Sequence, residues 1–142
     1  MLSSVIQFVN YMDKKDIKYN NRGPLGDKGR EVVEVSFSGK NMNSVRTVFY
    51  FDADAEGVAI RVYDIVKVPE EKADVMYPAI NSLNRHFRFA KFVLDTDDNT
   101  IQAEMDTAFR SRDVGEICYE LMIHMVDICD TAYPDLMKAL WA

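Results

Sequence analysis

The segment LDTDDNTIQAEMD (residues 94–106) decides how the rest of the sequence is interpreted. Its acids and its asparagine are spaced like the ligands of an EF-hand calcium loop. That loop also requires a glycine, an apolar residue and a final glutamate, where this sequence has Thr100, Gln102 and Asp106. From Ile101 onward apolar and polar residues alternate, as in a half-buried strand. We therefore predict a hairpin whose acids form the turn and face water, and no calcium site.

Three more strand-like runs precede this hairpin. They are EVVEVSFSG (31–39), SVRTVFYFD (44–52) and GVAIRVYDIV (57–66), each rich in β-branched and aromatic residues. The joining sequences GKNMN and ADAEG are typical of hairpin connections. The segment NNRGPLGDKG (20–29) is dense in turn formers, so we predict a loop there, either a plain connector or a binding loop.

Three segments show the helical spacing of apolar residues: 2–12, 68–87 and 113–142. Proline interrupts two of them, and inside a helix a proline removes a backbone donor and clashes with the preceding turn. We expect Pro78 to kink or divide the second helix. We expect Pro134 to end the long third helix and to leave a short terminal helix behind it.

These elements follow one another in the order α-β-β-β-α-β-β-α. A chain of 142 residues is long enough for one well-buried domain and short for two. We therefore predict a single α+β domain over residues 1–142, with an antiparallel five-stranded sheet and helices packed mainly on one face.

Composition and charge argue against several classes of function. The net charge is −6 and the pI is near 4.9, whereas nucleic acids and anionic membranes require a positive surface. No run approaches the roughly 18 apolar residues of a membrane span, and the first residues do not resemble a signal peptide. Cys118 and Cys129 lie roughly 16 Å apart along one predicted helix, too far for a disulfide. We expect a cytoplasmic protein with reduced, buried thiols.

The third predicted helix carries a possible metal-binding face. Glu120, His124 and Asp127 fall on one side of it, a spacing at which imidazole and carboxylates could ligate a metal, but the same residues fit an ordinary polar face. Neither cysteine has a base nearby, and the sequence contains no nucleophile elbow and no glycine-rich phosphate loop. We predict that the protein is not an enzyme and uses no cofactor.

Four residues are predicted to contact a partner. Phe8 and Tyr11 fall off the main apolar stripe of the first helix, as aromatic residues of protein interfaces do. Arg85 and Arg88 belong to the basic and aromatic segment NRHFRFAK (84–91). This segment could bind an anion or an acidic peptide, or it could be a solvated helix end that leads into a strand.

The sequence VPEEKADVMYPAINSLNRHFRFAKFVLDTDDNTIQAEMD (68–106), followed by a long helix with a proline near its end, resembles the YbjN family of proposed bacterial sensory transduction regulators. The resemblance rests on Val68-Pro69 at a helix start, Leu83-Asn84 near its end and the strand FAKFVLD before the turn. It implies a type III secretion chaperone-like fold, a homodimer and a binding or regulatory role. Within the match, we expect Asn84 to bond the backbone where the helix passes into the strand.

We predict a non-enzymatic protein-interaction or regulatory module with chaperone-like binding of partner polypeptides. The partner, a protein or a peptide, would dock on apolar helix and sheet surface, or extend the sheet by strand addition. We expect neither a nucleic-acid nor a membrane partner. The alternative hypothesis is a small-molecule or ion-binding sensor that uses the helix face around His124 or the arginines Arg85 and Arg88.

Overall fold

The computed structural model describes residues 1–110 and 112–142, which form three α-helices and a six-stranded sheet. The helices are α1 (Ser3–Lys14), α2 (Ala73–His86) and α3 (Val114–Trp141), and a 3-10 helix, Glu70–Lys72, leads into α2. The strands are β1 (Asn20–Leu25), β2 (Arg30–Phe37), β3 (Val45–Phe51), β4 (Gly57–Lys67), β5 (Lys91–Asp95) and β6 (Thr100–Ala108).

The hairpin predicted from residues 94–106 is confirmed, and it forms β5 and β6. Alternate residues of β6 are buried, as the sequence pattern requires. In the turn, the carboxylates of Asp95 and Asp98 accept hydrogen bonds from backbone amides two residues further on. Asn99 has a φ of 57°, a left-handed conformation that asparagine tolerates. The acids of this segment therefore stabilise a turn.

All the strand pairs are antiparallel, and the spatial order is β1-β2-β3-β4-β6-β5. The first four strands follow one another as a meander. The chain then crosses through α2 and returns so that β6 lies beside β4, with β5 on the outside. Consequently β1 and β5 are the two edge strands.

The predicted loop at 20–29 is wrong in its first half, which forms β1, so the predicted count of five strands is also wrong. β1 pairs with β2 and carries a bulge between Asn21 and Gly23. Gly23 has a φ of 76°, which is costly for residues with a side chain. No residue of β1 is fully buried, so this strand shows no apolar alternation. Its conformation follows from hydrogen bonding to β2.

One face of the sheet packs against the helices and forms the core. On β3, Val45, Thr47, Phe49 and Phe51 are buried on this face. The ring of Phe8 in α1 lies 4.6 Å from that of Phe49 and 5.5 Å from that of Phe51. α3 contacts the three central strands β3, β4 and β6, and α2 covers β5. The helices thus leave the opposite sheet face uncovered.

α1 and α3 approach each other most closely at Gly115. A Cβ atom added to Gly115 would lie 2.6 Å from Cβ of Tyr11 and 2.9 Å from the carbonyl oxygen of Gln7. Carbon atoms do not approach so closely without repulsion, and one of these neighbours is backbone. Only glycine therefore allows the observed packing of the two helices.

α3 continues through Pro134 to Trp141, so the prediction that this proline ends the helix is wrong. Proline lacks the N–H group that would bond the carbonyl oxygen of Asp130, four residues earlier. The side-chain amide of Asn41 donates to that oxygen instead, at 2.9 Å. Pro78 lies inside α2, which continues as one helix, and this proline is exposed, so water can solvate the nearby backbone.

The side chain of Asp130 fastens the β2–β3 connection to α3. Its carboxylate accepts hydrogen bonds from the backbone N–H groups of Lys40, Asn41 and Met42, at 3.0, 2.9 and 2.8 Å. These bonds, that of Met42 foremost, lower the pKa of Asp130 below its usual value. A Cβ atom on Gly39 would collide with the same carboxylate, so glycine is required there.

The substitution Gly115→Ala should destabilise the fold by about 1–3 kcal/mol, because the added methyl group forces α1 and α3 apart. Urea denaturation measures the change in the free energy of unfolding. Glu120→Ala, at an exposed position of the same helix, is the control and should have little effect. An unchanged midpoint for Gly115→Ala would show that the two helices can separate without cost.

The substitution Asp130→Asn should lower the free energy of unfolding at neutral pH by about 1 kcal/mol, since it weakens the charge-assisted bonds to the connection. A carboxylate whose folded pKa is lowered stabilises the fold fully above its unfolded pKa, and this contribution is lost as the pH falls through the folded pKa. The difference between wild type and variant should therefore shrink below about pH 4.

Urea denaturation at a series of pH values checks this expectation. Asp135→Asn, which neutralises an exposed acid on the same helix, is the matched control. A difference between Asp130→Asn and wild type that stays constant down to the most acidic pH would exclude the charge of Asp130 as its cause.

Candidate partner-binding surface

The sheet face opposite the helices has an apolar centre. Val32 and Val48 are only 7% and 3% exposed, yet neither belongs to the core cluster between the sheet and the helices. We call this face the open face. It is made of alternate residues of β2 to β6, including Val32, Glu34, Arg46, Val48, Tyr50, Arg61, Tyr63, Val93 and Glu104.

A cavity of about 260 Å³ lies at the β1–β3 end of the open face, and we call it the β1 pocket. β1 forms one of its walls, and the side chains of β2 and β3 form the rest. Its lining residues are Arg22, Gly23, Pro24, Leu25, Val32, Glu34, Arg46, Val48 and Tyr50. The segment that the sequence indicated as a loop therefore helps to build this recess.

Glu34 holds two arginines at the β1 pocket. Its carboxylate pairs with Nη1 of Arg22 at 2.9 Å and with Nε of Arg46 at 2.6 Å. The side chain of Glu34 is 10% exposed, whereas those of Arg22 and Arg46 are 57% and 59% exposed. The acid is thus the buried support, and the guanidinium groups face outward.

Two tyrosines and a third arginine lie beside this cluster. The hydroxyl of Tyr63 donates a hydrogen bond to that of Tyr50 at 3.0 Å. The guanidinium carbon of Arg30 lies 5.0 Å from the centre of the Tyr50 ring, within range of a cation–π interaction. Burial, and after it the bond to Tyr50, raises the pKa of Tyr63, so this phenol is neutral at physiological pH.

Further along the open face, the positive charge is balanced. Arg61 pairs with Asp106 at 2.7 Å and with Glu104 at 3.9 Å. Two acids thus face one arginine in the middle of the sheet. The acids outnumber the arginine in this cluster, whereas Arg22 and Arg46 outnumber Glu34 at the end that carries the β1 pocket.

The edge of β5 is partly occupied by a side chain of α2. Nδ2 of Asn84 donates to the carbonyl oxygen of Phe92 at 3.0 Å, and the N–H group of Phe92 donates to Oδ1 of Asn84 at 2.7 Å. The predicted structural role of Asn84 is confirmed. Its amide takes the positions that a neighbouring strand would use, which blocks strand addition there.

The edge of β1 is also unsuited to strand addition. Pro24 has no N–H group to offer, and the bulge between Asn21 and Gly23 interrupts the regular ladder. Natural sheets use both devices to prevent edge pairing. A partner that binds this sheet is therefore better accommodated on its open face than along its edges.

Two of the predicted contact residues lie on α1. The expectation that Phe8 lies off the apolar stripe is wrong, because its ring is completely buried against β3 and cannot touch a partner. Tyr11 is half-buried where α1 meets α3, with its ring 5.5 Å from that of Tyr119. Its contact with a partner stays a prediction.

The basic segment at the end of α2 does not converge on one point. Arg85 and Arg88 are exposed, and Arg88 lies over the ring of Phe89 at 5.3 Å. Nζ of Lys91 donates to backbone oxygens of the helix end, among them that of Phe87 at 2.8 Å. A role of Arg85 and Arg88 in binding stays a prediction, on the helical side of the molecule.

The candidate metal face on α3 shows no ligand geometry. Glu120, His124 and Asp127 are exposed, and the ring of His124 stacks on Phe89 at 4.7 Å. Within residues 1–110 and 112–142, no group of three ligating side chains is placed to hold a metal ion. No helix in this described part combines the length and apolar character that a membrane span requires.

The sulfur-containing residues serve the core. Cys118 and Cys129 are buried, as predicted, and burial raises the pKa of both thiols to about 12, which leaves them protonated at neutral pH. The methionines Met76, Met122 and Met125 are fully buried as well. They therefore do not provide the adaptable outer surface that methionines can form.

The residues of the β1 pocket were not singled out from the sequence. Glu34 and Arg46 stand at polar positions of two alternating strands, which is a visible signal of a solvent-facing row. Their meeting with Arg22 depends on the strand register, and Arg22 lies in the segment that was predicted as a loop. Pairing between strands, which the sequence does not specify, brings the three together.

Comparison with known proteins identifies the fold. No family model and no curated protein matches the chain. YbjN from E. coli, described as a candidate transcription regulator, is similar with a TM-score of 0.54 and 9% identity over 90% of each chain. A chain of the ExsC–ExsE complex is similar with a TM-score of 0.60 and 14% identity over 94% of each chain. The fold is thus YbjN-like and chaperone-like, which confirms the resemblance seen in residues 68–106.

The substitution Asn84→Ala should destabilise the fold by about 1–2 kcal/mol, because it leaves the backbone groups of Phe92 without their partner. It should also promote self-association, since the edge of β5 becomes able to pair with another chain. Urea denaturation and light scattering measure the two effects. Asn81→Ala, at an exposed position of α2, is the matched control. A stable variant that scatters light like wild type would contradict the edge-blocking role.

Proposed function

We propose that the chain is a non-enzymatic protein-interaction module that holds a partner polypeptide on its open face. One observation carries the proposal: Tyr63 and Val93 are 38% and 39% exposed on a sheet face that no helix within residues 1–110 and 112–142 covers, and the β1 pocket on the same face has two outward-facing arginines. Tyrosine and arginine around an apolar centre are typical of the energetically dominant parts of protein interfaces.

The similar structures support this class of function. The ExsC–ExsE structure is a complex of two different proteins, and YbjN is described as a candidate transcription regulator. We propose a chaperone-like or regulatory role for this chain, in which it acts by binding. The partner is a protein or a peptide, and the net charge of −6 disfavours nucleic acid. We further propose a cytoplasmic homodimer.

The open face is large enough to hold an extended segment. The five strands β2 to β6, at a spacing of about 4.8 Å, span roughly 19 Å, which corresponds to about six residues of an extended chain. The guarded edges at Asn84 and Pro24 favour docking across the face over strand addition. Side-chain contacts would then determine which partner binds.

Site-specific photo-cross-linking in cells of the source organism tests this proposal. A photo-reactive amino acid in place of Tyr63 or Val93, which are 38% and 39% exposed on the open face, should cross-link to the same recurring protein. The control position is Val75, which is 56% exposed on α2, on the helical side. The captured protein is then purified, and the complex is reconstituted and its mass measured by light scattering.

The outcomes separate the possibilities. Cross-links from Val75 alone would place the partner on the helices. A monomeric protein that yields no recurring cross-link from any position would contradict the proposed function. Light scattering of the isolated chain also decides whether it is a homodimer.

A second candidate function is a small-molecule or ion-binding sensor, because the β1 pocket is concave and contains arginines. Thermal denaturation in the presence of metals, nucleotides and small anions distinguishes the two functions. Stabilisation by one such ligand that is lost in Arg46→Gln would favour the sensor over the interaction module.

A further inference from the structure

We propose that the β1 pocket receives an acidic side chain of the partner polypeptide, next to an apolar residue that packs against Leu25 and Tyr50. The inference rests on the proposed function and adds the chemical class of the segment that binds. Its occupant is a peptide segment in which glutamate or aspartate neighbours an aliphatic or aromatic residue.

The charges around the β1 pocket complement an acidic partner. Arg22 and Arg46 line the β1 pocket with the single acid Glu34, which gives a local charge of +1, and Arg30 adds a positive charge over the ring of the lining residue Tyr50. The whole chain carries −6. A positive end on an acidic protein attracts acidic segments there and repels them from most of the remaining surface.

The geometry of Arg22 and Arg46 leaves N–H donors available for a second carboxylate. Glu34 engages Arg22 through Nη1 and Arg46 through Nε, and a guanidinium group has five N–H donors in all. Both side chains are more than half exposed, so further donors face solvent. Because the buried carboxylate fixes their position, the two arginines present a preformed fork pair to a second carboxylate.

One side of the β1 pocket is apolar. Val32 and Val48 contribute to the lining, and Leu25, at the end of β1, is 47% exposed beside them. The volume of about 260 Å³ lies below the roughly 300–1,000 Å³ of most small-molecule sites. A recess of this size and mixed character suits a side chain or two better than a nucleotide.

Fluorescence anisotropy with short labelled peptides tests the inference. Each peptide carries one glutamate between leucine or phenylalanine residues, and its matched control carries glutamine at the same place. We expect the glutamate peptides to bind several-fold more tightly than the glutamine peptides, and more weakly as the salt concentration rises.

Variants of the protein locate the site. Arg22→Gln and Arg46→Gln should each weaken the binding of glutamate peptides about fivefold, whereas Arg46→Lys, which keeps the charge and loses the fork, should restore part of it. Lys138→Gln removes one exposed positive charge from α3 and should leave binding unchanged. Circular dichroism and thermal denaturation verify that each variant is folded.

Five results would overturn the inference. The first is equal binding of glutamate and glutamine peptides, and the second is undiminished binding of the glutamate peptides by both Arg22→Gln and Arg46→Gln. The third is that no peptide binds. The fourth is that the wild-type chain forms a dimer and the Arg46→Gln variant does not, which would show that a second copy covers this face. Displacement of the peptides by free glutamate or phosphate at similar concentration would also overturn it, in favour of a small-anion site. The cross-links from Tyr63 and Val93 test the proposed function independently of all these results.

Discussion

The carboxylate of Asp130 is the contact that ties the β2–β3 connection of the sheet to α3. It binds three successive backbone amides of the β2–β3 connection, and its own carbonyl oxygen, left without a donor by Pro134, is taken by Asn41. The carboxylate of Asp130 thus holds the connection, and Asn41 of the connection in turn satisfies the helix carbonyl group. The two strands that this connection joins, β2 and β3, carry Glu34 and Arg46, and the strand register brings these side chains together on the opposite face.

Features that depend on neighbouring residues in the chain were predicted well from the sequence. The alternation after Ile101 identified β6, and the acids before it identified the turn. The three runs rich in β-branched and aromatic residues form β2, β3 and β4, within one or two residues of their expected bounds. Asn84 was recognised as a backbone-bonding residue. In each case a few consecutive residues contain the physical information.

Features that depend on distant residues were predicted poorly. β1 has no buried alternation, and its pairing with β2 determines its conformation. Pro134 reads as a helix end unless the amide of Asn41, far away in sequence, is known to stand in for the missing donor. Phe8 was placed off the apolar stripe of the first helix, but packing against β3 buries it completely, whereas Ile6 of the same helix is 43% exposed. The open face likewise becomes visible only with the strand register.

The position of Glu34 between Arg22 and Arg46 has a consequence for the lifetime of any complex formed at the β1 pocket. Glu34 already pairs with part of each guanidinium group, so an incoming carboxylate would compete with Glu34 for these N–H donors. The ion pairs keep the arginines ordered when no ligand is bound, and they also limit the binding free energy of a ligand. If an acidic segment binds there as proposed, we therefore expect it to dissociate readily.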